Sequence, residues 1–523
     1  MRPTILTAAC ALALGAGAAS AEYSITLLHT NDFHDRIEPI SRFNSTCSAE
    51  DNAAGECFGG IARLVTAIEA AKARHDNYLL VDGGDQFQGT LFFQFYKGDV
   101  SAEMMNKLGY DAMAVGNHEF NNGPEGLAAF IEKVRFPVLM SNADLSSEPL
   151  LSDLVQKSVV ITKAGEQIGL IGVTPVNNDE LSSPGPNIVF TDPSPAVQAE
   201  IDALEADGID KIILLSHSGF PTDLAIAAST EGLDLIVGGH SNTLLSNTDD
   251  GAAGPYPTLA NGVPIVQAFA YGKYLGELTI TFDDAGNVIS TSGEPILIDA
   301  SVEEDAATLR RVRELAGPLD EVRNEVVAET ASAIEGDRSV CRAMECPMGN
   351  LVADAMLDRV KDQGIQIAIQ NGGGLRASID AGEVTKGEVL TVLPFQNTLS
   401  TFQVSGAAIK SALENGVSQV EEGGGRFPQV AGLKFTWDPS MAPGSRVTEI
   451  MVADGGAFVP LDEIKVYGVV SNNFMRNGGD GYEMFVNADN AYDFGPDLAD
   501  VTAEFMAAQG TYQPYTDGRI SQP

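Results

Sequence analysis

The chain has little positive charge and, beyond its N-terminus, no long apolar stretch. Its 523 residues include 31 Lys and Arg against 72 Asp and Glu, a formal net charge of −41. So acidic a surface makes nucleic acid and anionic membranes poor partners. After residue 21 no segment reaches the roughly 18 apolar residues that a membrane helix needs, and residues 517–523 form no hydrophobic anchor tail. We therefore expect a soluble mature protein without a membrane partner.

The first 21 residues predict a secretory signal peptide. Arg2 precedes an apolar run from Ile5 to Ala18, and the small residues 19–21 are typical of a cleavage site. The alternative, a lipoprotein modified at Cys10, requires cleavage too close to the start of the apolar run. We expect a mature chain from about Glu22 that is periplasmic or secreted.

Cysteine is also scarce, and outside the signal only four remain. They form two local pairs, Cys47 with Cys57 and Cys341 with Cys346. An oxidising compartment favours two short-loop disulfides. A zinc site is the weaker interpretation because the pairs lie far apart and lack Cys-x-x-Cys spacing.

The length predicts two domains. In the N-terminal half, short apolar runs alternate with polar loops and helical stretches, a pattern typical of buried strands in a layered α/β domain. The charged segment 302–327 has helical spacing and contains Pro318, which predicts a kinked linker helix. Glycine-rich turns and strand-like runs (433–437 and 464–470) predict a second α/β domain. The predicted divisions are a signal at 1–21, a first domain at 22–301, a linker at 302–327 and a second domain at 328–523.

Metal-type side chains follow five of the N-terminal strands, and four of the six histidines stand in these loops. The carboxyl ends of strands in an open α/β sheet are where such proteins place their sites. Imidazole, carboxylate and amide groups form a mixed set suited to two divalent cations, zinc or manganese foremost, with Asp85 as the natural bridge. His29 and His75 are interpreted as structural. The candidate metal ligands are Asp32, His34, Asp85, Asn117, His217, His240 and Asn242.

These motifs resemble the calcineurin-like metallophosphoesterases, and their spelling is closest to the 5′-nucleotidases. The similarity is carried by Gly116-Asn117-His118-Glu119-Phe120 and by residues 238–243, Gly-Gly-His-Ser-Asn-Thr, and it continues through the C-terminal half. It implies a metallophosphoesterase domain followed by a substrate-binding domain. It also implies a large rotation between them during turnover.

The resemblance implies that His118 contacts the phosphate rather than a metal. Many 5′-nucleotidases orient this histidine with an aspartate three residues later, where this chain has Asn121. An amide holds the ring but stabilises an imidazolium less than a carboxylate does, so His118 should lose its proton more readily. The family's periplasmic cyclic-nucleotide phosphodiesterases also have asparagine here.

In the second half, the family's nucleotide site falls on segments that this chain shares. Two aromatic rings can sandwich a base, Asp480 can accept from both ribose hydroxyls, and arginine forks can hold phosphate oxygens. The loop that carries Arg342 is bracketed by Cys341 and Cys346. The candidate substrate residues are Arg342, Asn371, Arg376, Phe395, Phe474 and Asp480.

The sequence thus predicts an exported two-metal 5′-nucleotidase that acts on AMP-like nucleotides. A 2′,3′-cyclic nucleotide phosphodiesterase or UDP-sugar hydrolase on the same site is the alternative, and a non-catalytic nucleotide-binding protein is an alternative of another class. Metal identity, base preference and oligomeric state are not determined by the sequence.

Overall fold

The structure is a computed structural model that describes residues 22–42, 44, 47–492 and 495–523. The predicted signal at 1–21, including Cys10, lies outside the described residues. Within them, no helix is both long and apolar enough to cross a bilayer. Cys47 is bonded to Cys57 and Cys341 to Cys346.

Two sheets lie face to face in the N-terminal half. The first has the strand order β14-β13-β1-β2-β3-β4, with β15 also on β13, and the second has the order β11-β12-β10-β9-β7-β6. The strands of the first sheet are β1 (Tyr23–Thr30), β2 (Tyr78–Asp82), β3 (Ala112–Ala114), β4 (Val138–Leu139), β13 (Tyr274–Phe282), β14 (Val288–Gly293) and β15 (Ile296–Leu297). Those of the second are β6 (Ser158–Lys163), β7 (Glu166–Val173), β9 (Ile212–Ser216), β10 (Leu235–Val237), β11 (Thr258–Ala260) and β12 (Val263–Val266), while β5 (Ala143–Asp144) pairs separately with β8 (Val189–Phe190).

The short apolar runs form strands because both of their faces are buried. Leu27 packs in the core between the two sheets, whereas its neighbour Leu28 packs under the helices outside the first sheet. In the second sheet, Leu215 packs in the core between the sheets, and Leu214 packs under the helices outside that sheet. Alternate side chains of a strand point to opposite faces, so the half has four layers, helix, sheet, sheet and helix. Its helices are α1 (Ala49–Ala54), α2 (Ile61–Arg74), α3 (Leu91–Tyr96), α4 (Asp99–Leu108), α5 (Gly123–Ile131), α6 (Asn178–Leu181), α7 (Pro193–Ala206) and α8 (Phe220–Ser229).

A broken helix follows this half. Helix α9 (Ala306–Ala316) ends just before a 3-10 turn at Gly317–Leu319, which contains Pro318, and α10 (Asp320–Arg323) continues from it. The proline lacks an N–H for the helical ladder, which explains the interruption. The exact domain boundaries remain predictions.

The C-terminal half is a second α/β unit with three sheets, of order β20-β17-β24-β19-β25, β18-β16-β26 and β23-β22-β21-β27. The predicted strand at 464–470 begins and ends two residues later than expected, as β24. The strands are β16 (Val326–Thr330), β17 (Ile367–Asn371), β18 (Gly382–Thr385), β19 (Leu399–Ser405), β20 (Pro428–Ala431), β21 (Leu433–Trp437), β22 (Val447–Asp454), β23 (Ala457–Pro460), β24 (Val466–Asn472), β25 (Asp489–Tyr492), β26 (Thr511–Tyr512) and β27 (Ile520–Ser521). The helices are α11 (Arg338–Cys341), α12 (Pro347–Val360), α13 (Lys386–Val392), α14 (Gly406–Gly416), α15 (Asn473–Arg476) and α16 (Leu498–Ala508).

Candidate active site

The loops after five parallel strands meet at one edge of the N-terminal sandwich, and Asp85 lies at their centre. Its Oδ2 is 3.0 Å from Nε2 of His217, 3.9 Å from Nε2 of His34 and 4.0 Å from Nε2 of His118. Two groups of potential metal ligands share this carboxylate, one with His34 and His118 and one with His217 and His240. A carboxylate shared between two ligand groups is the arrangement of a bridged pair of cations.

The backbone of this edge is strained. Five of the seven predicted ligands have a left-handed φ, which non-glycine residues seldom adopt: Asp32 (49°), His34 (51°), Asp85 (59°), His240 (69°) and Asn242 (52°). Such conformations cost free energy and concentrate at functional sites, where surrounding structure holds them in place.

The donor atoms fit a cation. Nδ1 of His217 donates to the carbonyl oxygen of Gly83 at 2.7 Å, so Nε2 faces Asp85. Among the described residues, neither this Nε2 nor the buried Oδ1 of Asn242 has a partner with hydrogen-bond geometry. A carboxylate oxygen and an unprotonated ring nitrogen this close together repel each other, so the contact needs a positive charge, from a proton on the ring or from a cation. A divalent metal ion supplies that charge and takes nitrogen and amide oxygen as ligands.

Electrostatics at the edge favour positive charge as well. Burial by itself lowers the pKa of His217, but Asp85, Asp32 and Glu119 outweigh burial and raise this pKa to about 10. Burial raises the pKa of Asp32 to about 6, with His217 opposing and Asp85 assisting. The buried carboxylates thus create a negative potential that a cation offsets.

His118 is held by Asn121. The ring Nδ1 lies 2.6 Å from the amide Oδ1, which can only accept, so Nδ1 donates and Nε2 faces Asp85. Burial lowers the pKa of His118 to about 4; Asp85 opposes this shift and Arg376 adds to it. The imidazole of this structure is therefore neutral at pH 7.

The two halves of the chain enclose one cavity of about 720 Å³ in front of this cluster. Nη2 of Arg376, from the C-terminal half, donates to Nε2 of His34 at 3.3 Å. The ring of Phe395 lies 5.7 Å from that of His118, centroid to centroid. Each of the six predicted substrate residues lines this cavity.

Contacts with one another and with neighbouring loops hold the predicted substrate residues in place. Asn371 donates from Nδ2 to Oδ2 of Asp480 at 2.6 Å, and Arg342 donates to the carbonyl oxygen of Gly423 at 3.2 Å. The guanidinium of Arg376 lies over the ring of Phe395, 5.6 Å from its centroid. Phe395 and Phe474 are only half-buried, so part of each ring remains exposed.

Some predicted residues stand behind the cavity wall. Three predicted ligands do not line the cavity: Asp32, His217 and Asn242. The other predicted metal and catalytic residues do line it, namely His34, Asp85, Asn117, His118, Asn121 and His240. Asp32 lies behind His34, with Oδ1 3.9 Å from Nε2 of that histidine. Ligands on the protein side of a metal have this placement.

Sequence reasoning missed three residues. Arg338 lines the cavity, and its spacing of one helical turn before Arg342 could have revealed it. Tyr271 packs its ring 5.7 Å from that of His34, and no local pattern announces it. Glu119 stands in a motif that the sequence singled out, yet its role depends on contacts with residues far along the chain.

A layered α/β sandwich with Asp and His clustered at its strand ends, facing a second α/β unit, defines a two-domain metallophosphoesterase. The model of the calcineurin-like phosphoesterase family matches residues 25–243, and that of the 5′-nucleotidase C-terminal domain matches residues 326–487. The chain belongs to the 5′-nucleotidase family, and it is a metal-dependent phosphomonoesterase.

Relatives extend over nearly the whole chain. The 5′-nucleotidase of Diplobatis ommata is 40% identical, covering 99% of this chain and 92% of that protein. The human 5′-nucleotidase is 38% identical, covering 99% of this chain and 95% of that protein. The crystal structure of the 5′-nucleotidase precursor of Thermus thermophilus is 40% identical and superposes with a TM-score of 0.91, covering 96% of this chain and 99% of that one. These similarities confirm the predicted fold class and family, and they favour an enzyme over a non-catalytic binding protein.

Proposed function

We propose that the protein is an exported, two-metal 5′-nucleotidase that hydrolyses AMP-like nucleoside 5′-phosphates to nucleoside and phosphate. One observation carries the proposal: the Asp and His cluster and the nucleotide residues face each other across a single cavity, in contact at Arg376 and His34. A phosphate held by the second half therefore lies against the cluster of the first.

The metal centre of the proposal comprises two divalent ions, zinc or manganese, held by seven residues. Divalent cations there supply positive charge to phosphoryl oxygens and acidify the attacking water. The unpartnered atoms of His217 and Asn242 support this assignment because buried polar atoms normally have a partner. The ligands are Asp32, His34, Asp85, Asn117, His217, His240 and Asn242.

In the second half, each substrate residue has a chemical task. The guanidinium groups of Arg342 and Arg376 hold phosphate oxygens, and Phe395 and Phe474 stack on the base. Stacking contributes about 1–3 kcal/mol per base and tolerates different bases. Asn371 and Asp480 bind the nucleoside through donors and acceptors that the apolar rings lack.

His118 contacts the phosphate in this proposal. Its Nε2 faces the cluster because Asn121 binds Nδ1 from behind. To stabilise the transition state or assist the leaving ester oxygen, Nε2 must carry a proton, and the negative charge of a bound phosphate favours that protonation. Asn121 fixes the ring's orientation and its tautomer.

Export is part of the proposal. The predicted signal at 1–21 directs it, and two short-loop disulfides are typical of proteins in an oxidising compartment. In that setting the enzyme releases nucleoside and phosphate outside the cytoplasm, a role in scavenging.

A second candidate is the opening of 2′,3′-cyclic nucleotides on the same site. The observation that favours it is the amide of Asn121 in the position where a carboxylate stands in many 5′-nucleotidases. A neutral partner stabilises imidazolium less, which alters acid catalysis for the leaving oxygen.

Product analysis with the purified mature protein tests both candidates. A 5′-nucleotidase releases phosphate from AMP, whereas opening of 2′,3′-cyclic AMP yields 2′- or 3′-AMP without releasing phosphate. AMP and 2′,3′-cyclic AMP are supplied separately, with chelator, without chelator, and with zinc or manganese restored after chelation. Metal-restored hydrolysis of AMP supports the 5′-nucleotidase. Inert AMP with opening of the cyclic substrate supports the phosphodiesterase, and binding without hydrolysis of either contradicts both.

A further inference from the structure

Glu119 is fully buried in the short 3-10 helix at His118–Phe120, and its carboxylate accepts four backbone hydrogen bonds. Oε1 accepts from the N–H of Gln86 at 2.8 Å and of Phe87 at 3.2 Å. Oε2 accepts from the N–H of Asp85 at 3.0 Å and of Gly116 at 2.7 Å. One side chain thus binds three successive residues of the loop that carries Asp85.

The loop comprises residues 83–87, and its two remaining backbone N–H groups are also hydrogen-bonded. The N–H of Gly83 donates to the carbonyl oxygen of Thr30 at 2.8 Å, and the N–H of Gly84 donates to Oδ1 of Asp82 at 2.9 Å. All five N–H groups of the loop are therefore bound, three of them to Glu119. The loop has no free donor with which to adopt another conformation at low cost.

The carbonyl oxygens of the same loop hold the other predicted ligands. The carbonyl oxygen of Gly83 accepts from Nδ1 of His217 at 2.7 Å. The carbonyl oxygen of Phe87 accepts from Nδ1 of His34 at 3.1 Å. In the backbone, the carbonyl oxygen of Gly84 accepts from the N–H of Asp32 at 2.9 Å, and that of Asp85 accepts from the N–H of His34 at 3.0 Å. An imidazole that donates from Nδ1 presents Nε2 to a metal, so the loop sets ring orientation as well as position.

We propose that Glu119 is the positioning residue of the metal centre. By fixing loop 83–87 it holds Asp85 in its left-handed conformation, and through the loop's carbonyl oxygens it orients His34 and His217. Glu119 does not line the cavity, so it acts through the loop. The inference rests on the proposed two-metal function and adds the residue that preorganises it.

Glu119→Gln tests the role because it keeps the size of the side chain and removes one acceptor. The new amide NH₂ cannot accept, so two buried N–H groups lose their partner. We expect metal affinity to fall by about 10–100-fold, the usual effect of losing a group that supports metal ligands. The KM for AMP should stay within about twofold while kcat falls, because the substrate residues belong to the other half.

The measurement is titration of the metal-free wild type and variants with Mn²⁺ and with Zn²⁺, followed by calorimetry or a competing chromophoric chelator. Circular dichroism and thermal unfolding of the metal-free proteins report whether the fold is kept. Glu125→Gln, in the following helix and exposed, is the matched control and should bind metal as the wild type does. Glu119→Asp keeps both acceptors on a shorter side chain and should recover part of the affinity.

Wild-type metal affinity in Glu119→Gln overturns the inference. If that variant does not fold, Glu119→Asp decides alone, and wild-type affinity in it overturns the inference equally. A wild-type protein that binds no divalent metal contradicts the proposed function instead, so the two failures are distinguishable.

Discussion

At the scale of single residues, the contact between His118 and Asn121 controls which form of the imidazole the site holds. The amide oxygen accepts from Nδ1 but carries no charge with which to stabilise a second proton on the ring. Burial lowers the pKa of His118 to about 4, and Arg376 adds to this shift, while Asp85 and the hydrogen bond to Asn121 oppose it. In the neutral ring, Asn121 thus fixes the tautomer that has its proton on Nδ1, and Nε2 is then an acceptor.

Asn121→Asp should raise the pKa of His118, because a carboxylate beside an imidazole favours its charged form. We expect the alkaline limb of the kcat profile for AMP to move up by about one pH unit, since the protonated ring then persists to higher pH. The measurement is kcat from pH 3 to 9, a range that includes the wild-type pKa of about 4. Asn122→Asp is the control, because it adds the same charge one residue later in the chain, where the side chain does not contact Nδ1 of His118. An equal shift in both variants would show that general charge, and not the pairing, is responsible.

His29 is a buried histidine outside the candidate metal set. Its Nε2 lies 2.8 Å from the hydroxyl of Tyr256, and burial lowers its pKa to about 3. In the unfolded chain His29 takes up a proton near pH 6.5, whereas in the folded chain it does so only near pH 3. The free energy of unfolding therefore falls as the pH drops from about 6.5 toward 3. From this group we expect a loss of about 2 kcal/mol between pH 8 and pH 5.

His29→Gln should remove that part of the pH dependence, because the amide does not titrate and can still bind the Tyr256 hydroxyl. Urea unfolding of the metal-free proteins at pH 8 and pH 5 gives the two differences in free energy. The same pH dependence in variant and wild type would mean that His29 is not the group being protonated.

At the scale of elements, the Cys341–Cys346 disulfide joins the end of α11 to the residue that precedes α12. Arg342 lies within the closed loop, and Sγ of Cys346 accepts from the N–H of Gly349 at 3.2 Å as the cap of α12. The bond thus couples a candidate phosphate-binding arginine to a buried helix. Cys47–Cys57 closes a similar short loop that carries no predicted substrate residue.

Replacing Cys341 and Cys346 together by serine should raise the KM for AMP several-fold, because the loop of Arg342 gains freedom that binding must then remove. Each disulfide contributes about 2–3 kcal/mol to stability on the chain-entropy estimate. The Cys47/Cys57 double serine variant should therefore lose similar stability with unchanged KM. Steady-state kinetics and thermal unfolding of both variants make the comparison; equal KM effects would contradict the local role.

At the scale of the whole molecule, an acidic protein holds a cavity that carries a cluster of arginines. The net charge of −41 opposes an anionic substrate at long range, while Arg338, Arg342 and Arg376 face the cavity directly. Because the Debye length is about 8 Å at physiological salt, the local arginines dominate inside the cavity. We therefore expect the excess of acidic residues to affect the stability of the fold more than the binding of an anionic substrate.

Salt should stabilise the protein. Raising NaCl from 0.02 M to 0.5 M screens the mutual repulsion of surface carboxylates, which the compact state feels more than the unfolded chain. We expect the Tm of the metal-free protein to rise by about 2–4 °C, which corresponds to about 2–4 kcal/mol for a chain of this length. A Tm that is unchanged or falls over this range would show that the surface charges are already balanced locally.

The proposed chemistry needs the two halves together, since each supplies part of one cavity. A crosslink that locks the halves apart should leave metal binding intact and abolish AMP hydrolysis. The control is the same crosslinked protein after reductive cleavage of the linker, which should regain activity. Undiminished turnover in the locked form would contradict the need for closure.

Much of this protein could be predicted from its sequence, because the decisive patterns are local. Buried strands appear as short apolar runs, and the residues that end them appear directly afterwards, as with Asp85 after β2 and His217 after β9. These strands belong to different sheets, and the rule that sites form at the carboxyl ends of strands already implied the meeting of their motifs. Disulfide partners within ten residues of each other were equally accessible.

Only the tertiary structure decided how distant groups combine. The contact between Arg376 and His34 joins residues 342 positions apart and depends on how the two halves pack. Tyr271 beside His34, and the four bonds to Glu119, likewise arise from packing that no short pattern encodes. The sequence by itself determined which chemical groups are present and which strand carries each, because periodicity and motifs record local conformation and burial. Their mutual distances, and the residue that holds them, follow from long-range hydrogen bonds that form only when the chain has folded.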